Sequence, residues 1–285
     1  MMVNWGIAGC GKIAGRMAQC LKETGKANLL AAASQYAGKA EAFAGHGMEV
    51  LMADKMEHIF PLQAHPRCAA RIEEYLGSKG IGFRFGAGVV GIETSESKGP
   101  EVFFDDSNES ARANIILIAI GTRPNLSFID PTQVETEKGI IVNERMQTGN
   151  PNLYAAGDVA QGTNLLTGRK EIIGLLANAR YQGRTAGRNM AGERETRPGY
   201  VPYNISHFFD MDFVSIGDAR QDGDAVEEDE PLAGVYRRFV MTDNKIAGIN
   251  LLNDVLYSGA ILKNILKHDA EGIGTNPDAF CMPRF

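Results

Sequence analysis

The sequence offers little to a metal ion or a disulfide. Its 285 residues include four cysteines, Cys10, Cys20, Cys68 and Cys281, with no Cys-x-x-Cys pair and no histidine spaced to complete a zinc set. A disulfide framework and a redox dithiol are therefore not indicated, and the thiols read as small packing or surface residues. The five histidines, at 46, 58, 65, 207 and 268, are scattered in the same way, so no metal is expected. No apolar run approaches the roughly 20 residues of a membrane-spanning helix, and no signal peptide precedes Trp5. The expectation is a cytoplasmic protein without a membrane partner. Basic residues are dispersed and the formal net charge is -6, which speaks against a nucleic-acid partner. The densest charge cluster, Asp218 to Glu230, is acidic and reads as a solvated hairpin tip. No internal repeat or low-complexity segment is evident.

What is present suits a chain of about two domains with a sizeable core: hydrophobic residues make up 44% and charged residues 22%. A short strand, Val3 to Ala8, runs into Gly9-Cys10-Gly11-Lys12-Ile13-Ala14-Gly15, and a helical segment follows from Lys12 to about Thr24. This is a G-x-G-x-x-A turn in strand-to-helix context. Gly9 would make the tight turn and Gly11 would let a pyrophosphate approach the backbone. Lys12 and Ile13 open the helix whose N–H groups attract the phosphates, and Ala14 lets that helix lie close to the sheet. The alternative is an ordinary tight turn. A second strand, Ala27 to Ser34, closes the unit, and Ser34-Gln35 stands where an acid usually grips the adenosine ribose. NAD and NADP both stay open.

A second motif lies downstream. Leu153 to Ala156 is a short apolar strand ending in Gly157-Asp158, which puts a flexible turn and a carboxylate acceptor at a strand's carboxyl end. An ordinary turn is again the alternative. Upstream, Ile115 to Ile120 is a continuous apolar run of the kind buried on both faces, followed by Gly121-Thr122-Arg123-Pro124-Asn125, and the stretch GIIVNERMQT begins at Gly139. In Ala177 to Ala191 a helix is expected, with Ala179, Gly183, Gly187 and Ala191 recurring every four residues. One face is nearly bare and could lie against a sheet or a flat ligand. Pro66 to Lys79 reads as a helix with Ala70, Ile72, Tyr75 and Leu76 for packing and Gly80 as its stop. Phe83 to Glu93 and Val102 to Phe104 read as a hairpin. Beyond a linker at Pro198 to Pro202 come strands near Phe208–Gly217, Gly234–Met241 and Ile246–Leu252, then a helix striped with Tyr257, Ile261, Leu262, Ile265 and Leu266.

From about residue 47 onward these segments, in this order, resemble the two-dinucleotide pyridine nucleotide oxidoreductases, the FAD-dependent group that includes NADH oxidase, rubredoxin reductase and nitrite reductase flavoproteins. The stretch from Gly47-Met48-Glu49-Val50-Leu51-Met52-Ala53-Asp54 is similar to the NADH domain of that group, entered at its second strand. The resemblance implies that Asp54 binds a ribose, though a solvated strand-end acid is the plain alternative. It further implies that Gly121 borders the nicotinamide, that Gly157 and Asp158 hold the FAD ribitol, and that the small-residue helix lies against the flavin. Trp5 to Ala44 instead looks like the N-terminal cofactor unit of the Gfo/Idh/MocA dehydrogenases, which makes a fusion near residue 46 an expectation. The Glu-Lys-Pro motif with that family's catalytic lysine is absent from the sequence.

The implied fold class is α/β, Rossmann-like dinucleotide-binding sheets with a small α+β C-terminal interface domain. The division expected is 1–125 for NAD(P) binding, 126–197 for the second half of a flavin domain and 198–285 for dimerisation. The implied activity is hydride transfer from NAD(P)H to FAD and on to a small-molecule or redox-protein acceptor, in a homodimer, with no catalytic side chain named. The N-terminal Gly-rich FAD unit of that group is not found, so half a flavin site and weak FAD binding are expected. A nicotinamide-only dehydrogenase and a non-catalytic assembly protein remain as alternatives.

Overall fold

The computed structural model describes residues 49–95, 99–106, 109–242, 245–255 and 258–259. Gly9, Gly11, Lys12, Ile13, Ala14 and Ser34 lie outside the described residues, as does most of the expected final helix.

β1 (Val50–Asp54) and β2 (Ile81–Phe85) pair in parallel, from Val50 opposite Ile81 to Asp54 opposite Phe85. The helix between them, α1 (Pro66–Ser78), follows from its ends and its stripe. Pro66 fits the first turn, where its missing N–H costs nothing, and the His65 side chain caps that turn by accepting from the Arg67 N–H at 3.3 Å. Gly80, at φ +87°, takes the left-handed geometry that ends it. The buried stripe is Cys68, Ala69, Ile72 and Leu76. Ala70, expected inside, is exposed, because the packed face is turned one residue toward Ala69.

The hairpin expected from Phe83 is cut in two. Gly86 at φ +70° ends β2, so Phe83 belongs to the parallel pair. The antiparallel meander consists of β3 (Val89–Ser95), β4 (Gly99–Phe104) and β5 (Ser110–Arg112). Ile115 to Ile120 also departs from expectation. Ile115 and Leu117 are buried, but Ile118 is exposed and Ile120 is 83% exposed. Ala119 forms a β-bridge whose partner lies outside the described residues, and the exposure of Ile118 and Ile120 means that burial on both faces does not extend through the run.

A middle lobe follows. β6 (Ile140–Ile141) lies parallel to β7 (Ala160–Thr163), which carries β8 (Lys170–Glu171) antiparallel on its other side. Val134, Ile140, Val142, Met146, Ala155, Ala160 and Ala186 form its small core. The last of these comes from α2 (Leu176–Met190).

The C-terminal region is a five-stranded antiparallel sheet: β9 (Tyr203–Phe208), β10 (Met211–Gly217), β11 (Asp224–Glu230), β12 (Val235–Thr242) and β13 (Lys245–Leu252), in the order β11-β12-β13-β10-β9. Two expectations are corrected here. The acidic stretch is mostly strand, because Asp224 to Glu230 pairs residue by residue with Met241 to Val235 and faces the arginines of β12. Arg238 donates to Glu227 at 2.7 Å, and Arg237 donates to Glu228 at 2.7 Å. The segment Pro198 to Pro202 is not a free linker either. The Tyr200 N–H donates to the Thr163 carbonyl at 2.9 Å, the Leu165 N–H donates back to the Tyr200 carbonyl at 3.0 Å, and Val201 is fully buried.

The largest core spans β1, α1 and the C-terminal sheet. Phe60 touches Phe208 and Phe213 with ring centroids 5.6 and 5.0 Å apart, and Tyr236, Leu252, Ile72 and Leu76 complete it. Hydrogen bonds stitch the same contact: the His65 N–H donates to Asn250 Oδ1 at 2.8 Å, and Asn250 Nδ2 and Ser215 Oγ both donate to the Gln63 carbonyl at 2.9 Å. β1 and α1 are thereby held firmly by the C-terminal sheet, and with them the strand end that carries Asp54.

Candidate functional site

Asp54 closes β1 and is half-buried. One carboxylate oxygen, Oδ1, accepts the Met56 N–H at 3.0 Å, which fixes the side chain at the carboxyl end of the parallel pair. The Ala87 N–H returns to the Asp54 carbonyl at 3.2 Å and the Gly86 N–H to the Met56 carbonyl at 2.9 Å, so the loop beyond the strand is braced from both sides. Gly121, at φ +90°, ends the Ile115–Ile120 run in left-handed geometry, and a Cβ there would meet nothing within 4 Å. The glycine answers the turn's backbone need rather than a crowded neighbour.

Gly157 and Asp158 sit in the middle lobe. The segment Leu153–Ala156 that leads to them is not a full strand: only Tyr154 is bridged, to Gln147, and Leu153 is exposed. Hydrogen bonds from the Thr148 N–H to the Leu153 carbonyl and from the Ala155 N–H to the Met146 carbonyl hold it in place. Gly157 then turns at φ +81° into a single 3-10 turn, Gly157–Val159, before β7 begins. Asp158 is exposed, and among the described residues nothing hydrogen-bonds its carboxylate. Gly174 lies beside it, where a Cβ would come within 3.9 Å of Oδ1. The open carboxylate between two glycines suits an acceptor role toward sugar-alcohol hydroxyls, so these residues fit the ribityl end of a flavin.

α2 packs on this turn mainly through a polar face, and of its small-residue stripe only Ala179 touches the turn, where a Cβ on Gly157 would come within 3.6 Å of the Ala179 Cβ. Gly183 and Gly187 are exposed, and a Cβ at either would meet nothing within 4 Å. Lying against a sheet, one of the two uses open to that stripe, is not what it does. The buried face is mostly polar instead: Asn178, Gln182, Thr185 and Asn189, with Ala186 as its one apolar member. The Gly157 N–H donates to Gln182 Oε1 at 2.8 Å, and Asn178 Nδ2 donates to the Ile173 carbonyl at 2.8 Å. Asn189 joins Arg145 and Glu195 through three further hydrogen bonds. Sequence reasoning overlooked Gln182, Asn178 and Gly174. The signal was an amide pair at i and i+4 facing away from the small stripe.

Two other groups near these elements are structural. Lys170 Nζ donates to the Val142 carbonyl at 2.6 Å and to Thr163 Oγ1 at 3.0 Å, and burial holds its pKa below the ordinary lysine range. Cys68 is fully buried on α1, and burial pushes its thiol well above the usual range, so it packs and does not react.

Comparison with known proteins gives this geometry its setting. Residues 33–183 match the family model for pyridine nucleotide-disulphide oxidoreductase, which is more than half of the chain. The chain belongs to the pyridine nucleotide-disulphide oxidoreductase family. Ser34, Asp54, Gly121, Gly157 and Asp158 all fall inside the matched span, which opens upstream of residue 46. Residues 202–269 match the rubredoxin NAD+ reductase C-terminal domain, so the five-stranded sheet has a family counterpart of its own. Among similar curated proteins, the NADH-dependent phenylglyoxylate dehydrogenase subunit epsilon of Aromatoleum evansii is 30% identical over 70% of this chain and 48% of its own length. The NADH-rubredoxin oxidoreductase of Clostridium acetobutylicum is 29% identical over 57% of this chain and 41% of its own. The chain thus spans less than half the length of either relative. Among solved structures, the water-forming NADH oxidase from Lactobacillus brevis superposes with a TM-score of 0.79 at 24% identity, over 92% of this chain and 62% of that one. That likeness establishes the α/β fold of the family.

Proposed function

We propose that this family member works in hydride transfer from NAD(P)H to FAD and onward to a small-molecule or redox-protein acceptor. In this reading residues 1–125 hold the nicotinamide dinucleotide, 126–197 hold the flavin, and 198–285 join two copies of the chain. The Gly157–Asp158 turn carries the reading: an exposed carboxylate with no hydrogen-bond partner among the described residues, flanked by glycines at the end of a braced segment. The names of the relatives, which include NADH-dependent and rubredoxin-reducing proteins, support the electron donor and the kind of acceptor.

Bound flavin would supply a two-electron acceptor for the nicotinamide hydride. The chain's own residues do the holding. Asp158 accepts hydrogen bonds from ribityl hydroxyls, and Gly157 and Gly174 keep side chains out of their path. Asp54, steadied by the Met56 N–H, has an oxygen left to accept from a ribose hydroxyl of the dinucleotide. The sequence motif adds Gly9, Gly11, Lys12, Ile13 and Ala14 to the residues assigned to the dinucleotide's pyrophosphate, and Ser34 to its adenosine ribose. Gly121 leaves the nicotinamide side open.

The test is FAD titration, followed by flavin fluorescence, of the wild-type chain and Asp158→Ala. Charge-assisted hydrogen bonds contribute about 1.5 to 3 kcal/mol. Losing them should weaken FAD binding roughly 10- to 150-fold, at about 1.4 kcal/mol per decade. The chain by itself is expected to bind FAD weakly, with Asp158 as a main contact. Equal affinity in the two proteins, or none in the wild type, rejects the flavin reading.

A further inference from the structure

We propose that Gln182 is a positioning residue for the Asp158 carboxylate, with Asn178 holding the opposite wall of the same site; the inference rests on the flavin reading of Gly157–Asp158 given above. Ala156 is extended at φ -150° and ψ 154°, and the N–H of the Ala156–Gly157 peptide points to α2 before Gly157 turns the chain at φ +81°. Gln182, 4% exposed, meets it with Oε1 at 2.8 Å. The other end of the same amide rests on β7: a Cβ added at Gly162 would come within 3.1 Å of Gln182 Nε2. The amide is wedged between the turn that carries Asp158 and the strand that follows it, with little freedom to swing. One helical turn earlier, Asn178, 1% exposed, donates from Nδ2 to the Ile173 carbonyl at 2.8 Å. That bond fixes the segment that places Gly174 beside the Asp158 carboxylate. Asp158 therefore stands between two stretches of backbone, each pinned by an amide from one face of one helix.

Packing alone does not explain these side chains. A buried amide is costly unless its hydrogen bonds are made, and Asn178 Oδ1 is buried without a partner among the described residues. A leucine at either position would fill the space without leaving an orphaned oxygen. What leucine cannot do is accept the Gly157 N–H, and asparagine, one methylene shorter than glutamine, reaches less far from position 182. Glutamine there answers an orientational need. It fixes the Ala156–Gly157 peptide, one residue before Asp158, and so the point from which the turn delivers the carboxylate.

The experiment compares Gln182→Met, which keeps the volume and loses the acceptor, with Gln182→Glu, which keeps an acceptor. FAD affinity, NADH affinity and hydrogen exchange of the Gly157 amide are measured on the full chain. Gln182→Met should weaken FAD binding about tenfold, the scale expected for one lost hydrogen bond, and should speed exchange at Gly157. Gln182→Glu should stay within about threefold of wild type in both readouts, and NADH affinity should be unchanged throughout. Wild-type FAD affinity in Gln182→Met, while Asp158→Ala loses it, overturns the positioning role and leaves the flavin reading intact. Loss of FAD binding in both Gln182 variants, or a parallel loss of NADH binding, overturns it too, since either marks damage unrelated to the acceptor. If the wild type and Asp158→Ala behave alike, the flavin reading itself has failed.

Discussion

The inward face of α1 carries Cys68, Ala69, Ile72 and Leu76, whereas the inward face of α2 carries Asn178, Gln182, Thr185 and Asn189 beside a single apolar residue, Ala186. The first helix is held by apolar burial against β1 and the C-terminal sheet. Such contacts are non-directional and depend mainly on the area removed from water. The second is held by hydrogen bonds aimed at particular backbone groups, which contribute less net stability but fix direction. Stability and orientation are thus supplied by different parts of the molecule, and the carboxylate read here as a ligand contact lies with the second.

If that division is real, substitutions should separate along it. The largest effect belongs to Ile72→Ala on α1: removing a fully buried branched side chain should cost about 2 to 5 kcal/mol in urea unfolding. FAD affinity, corrected for the folded fraction, should stay at the wild-type value. A cost below about 1 kcal/mol would erase the contrast between the helices.

A smaller effect is expected from pH. Burial chiefly, and Arg238 second, hold the His65 pKa below its ordinary value of 6.5, against the opposing pull of Asp222 and Glu227. A base with a depressed folded pKa binds fewer protons folded than unfolded. The neutral imidazole's contribution is therefore complete above pH 6.5 and is lost as pH falls from there through the folded pKa. Protonation also removes the Nδ1 lone pair that caps α1. Melting temperature should accordingly fall between pH 7.5 and pH 5.5 by a larger step in wild type than in His65→Asn, since asparagine can cap without titrating over about that range. Parallel pH profiles would remove His65 from the account. The smallest effect sharpens the comparison from the other side. Ile120→Ser, at a residue 83% exposed, should change the unfolding free energy by no more than about 0.5 kcal/mol.

Legibility in the sequence follows the same line. Local rules sufficed where the chain obeys them: Pro66 and Gly80 bracket α1 as helix-end chemistry requires, β1 ends at Asp54, and Gly157 turns with positive φ just before the acid. They failed where partners distant in sequence decide. Ile115 to Ile120 reads as doubly buried, yet burial depends on which strands flank it, and the run itself does not say. Asp224 to Glu230 reads as solvated, yet Arg237 and Arg238 turn it into a strand. For α2 the small-residue stripe suggests the packed face, whereas beyond Ala179 that stripe is exposed and a mostly polar face packs. Periodicity reports the spacing of like residues, and hydrogen bonds to backbone far along the chain leave no period. The Gly157–Asp158 pair was legible as a motif, but its supports, Gln182, Asn178 and Gly174, lie 16 to 24 residues onward.

The aromatic core that joins Phe60 to Phe208 and Phe213 also bears on how the chain would respond to being cut. A single nick among the exposed residues 191–194 would break no core contact, and the two pieces would remain together as a noncovalent complex. Pulling them apart would bare Phe60, Phe208, Phe213 and Tyr236 at once. The C-terminal sheet, though it has a family counterpart of its own, is in this molecule half of a shared interior, and expressed without β1 and α1 it would present that interior to solvent as a sticky face.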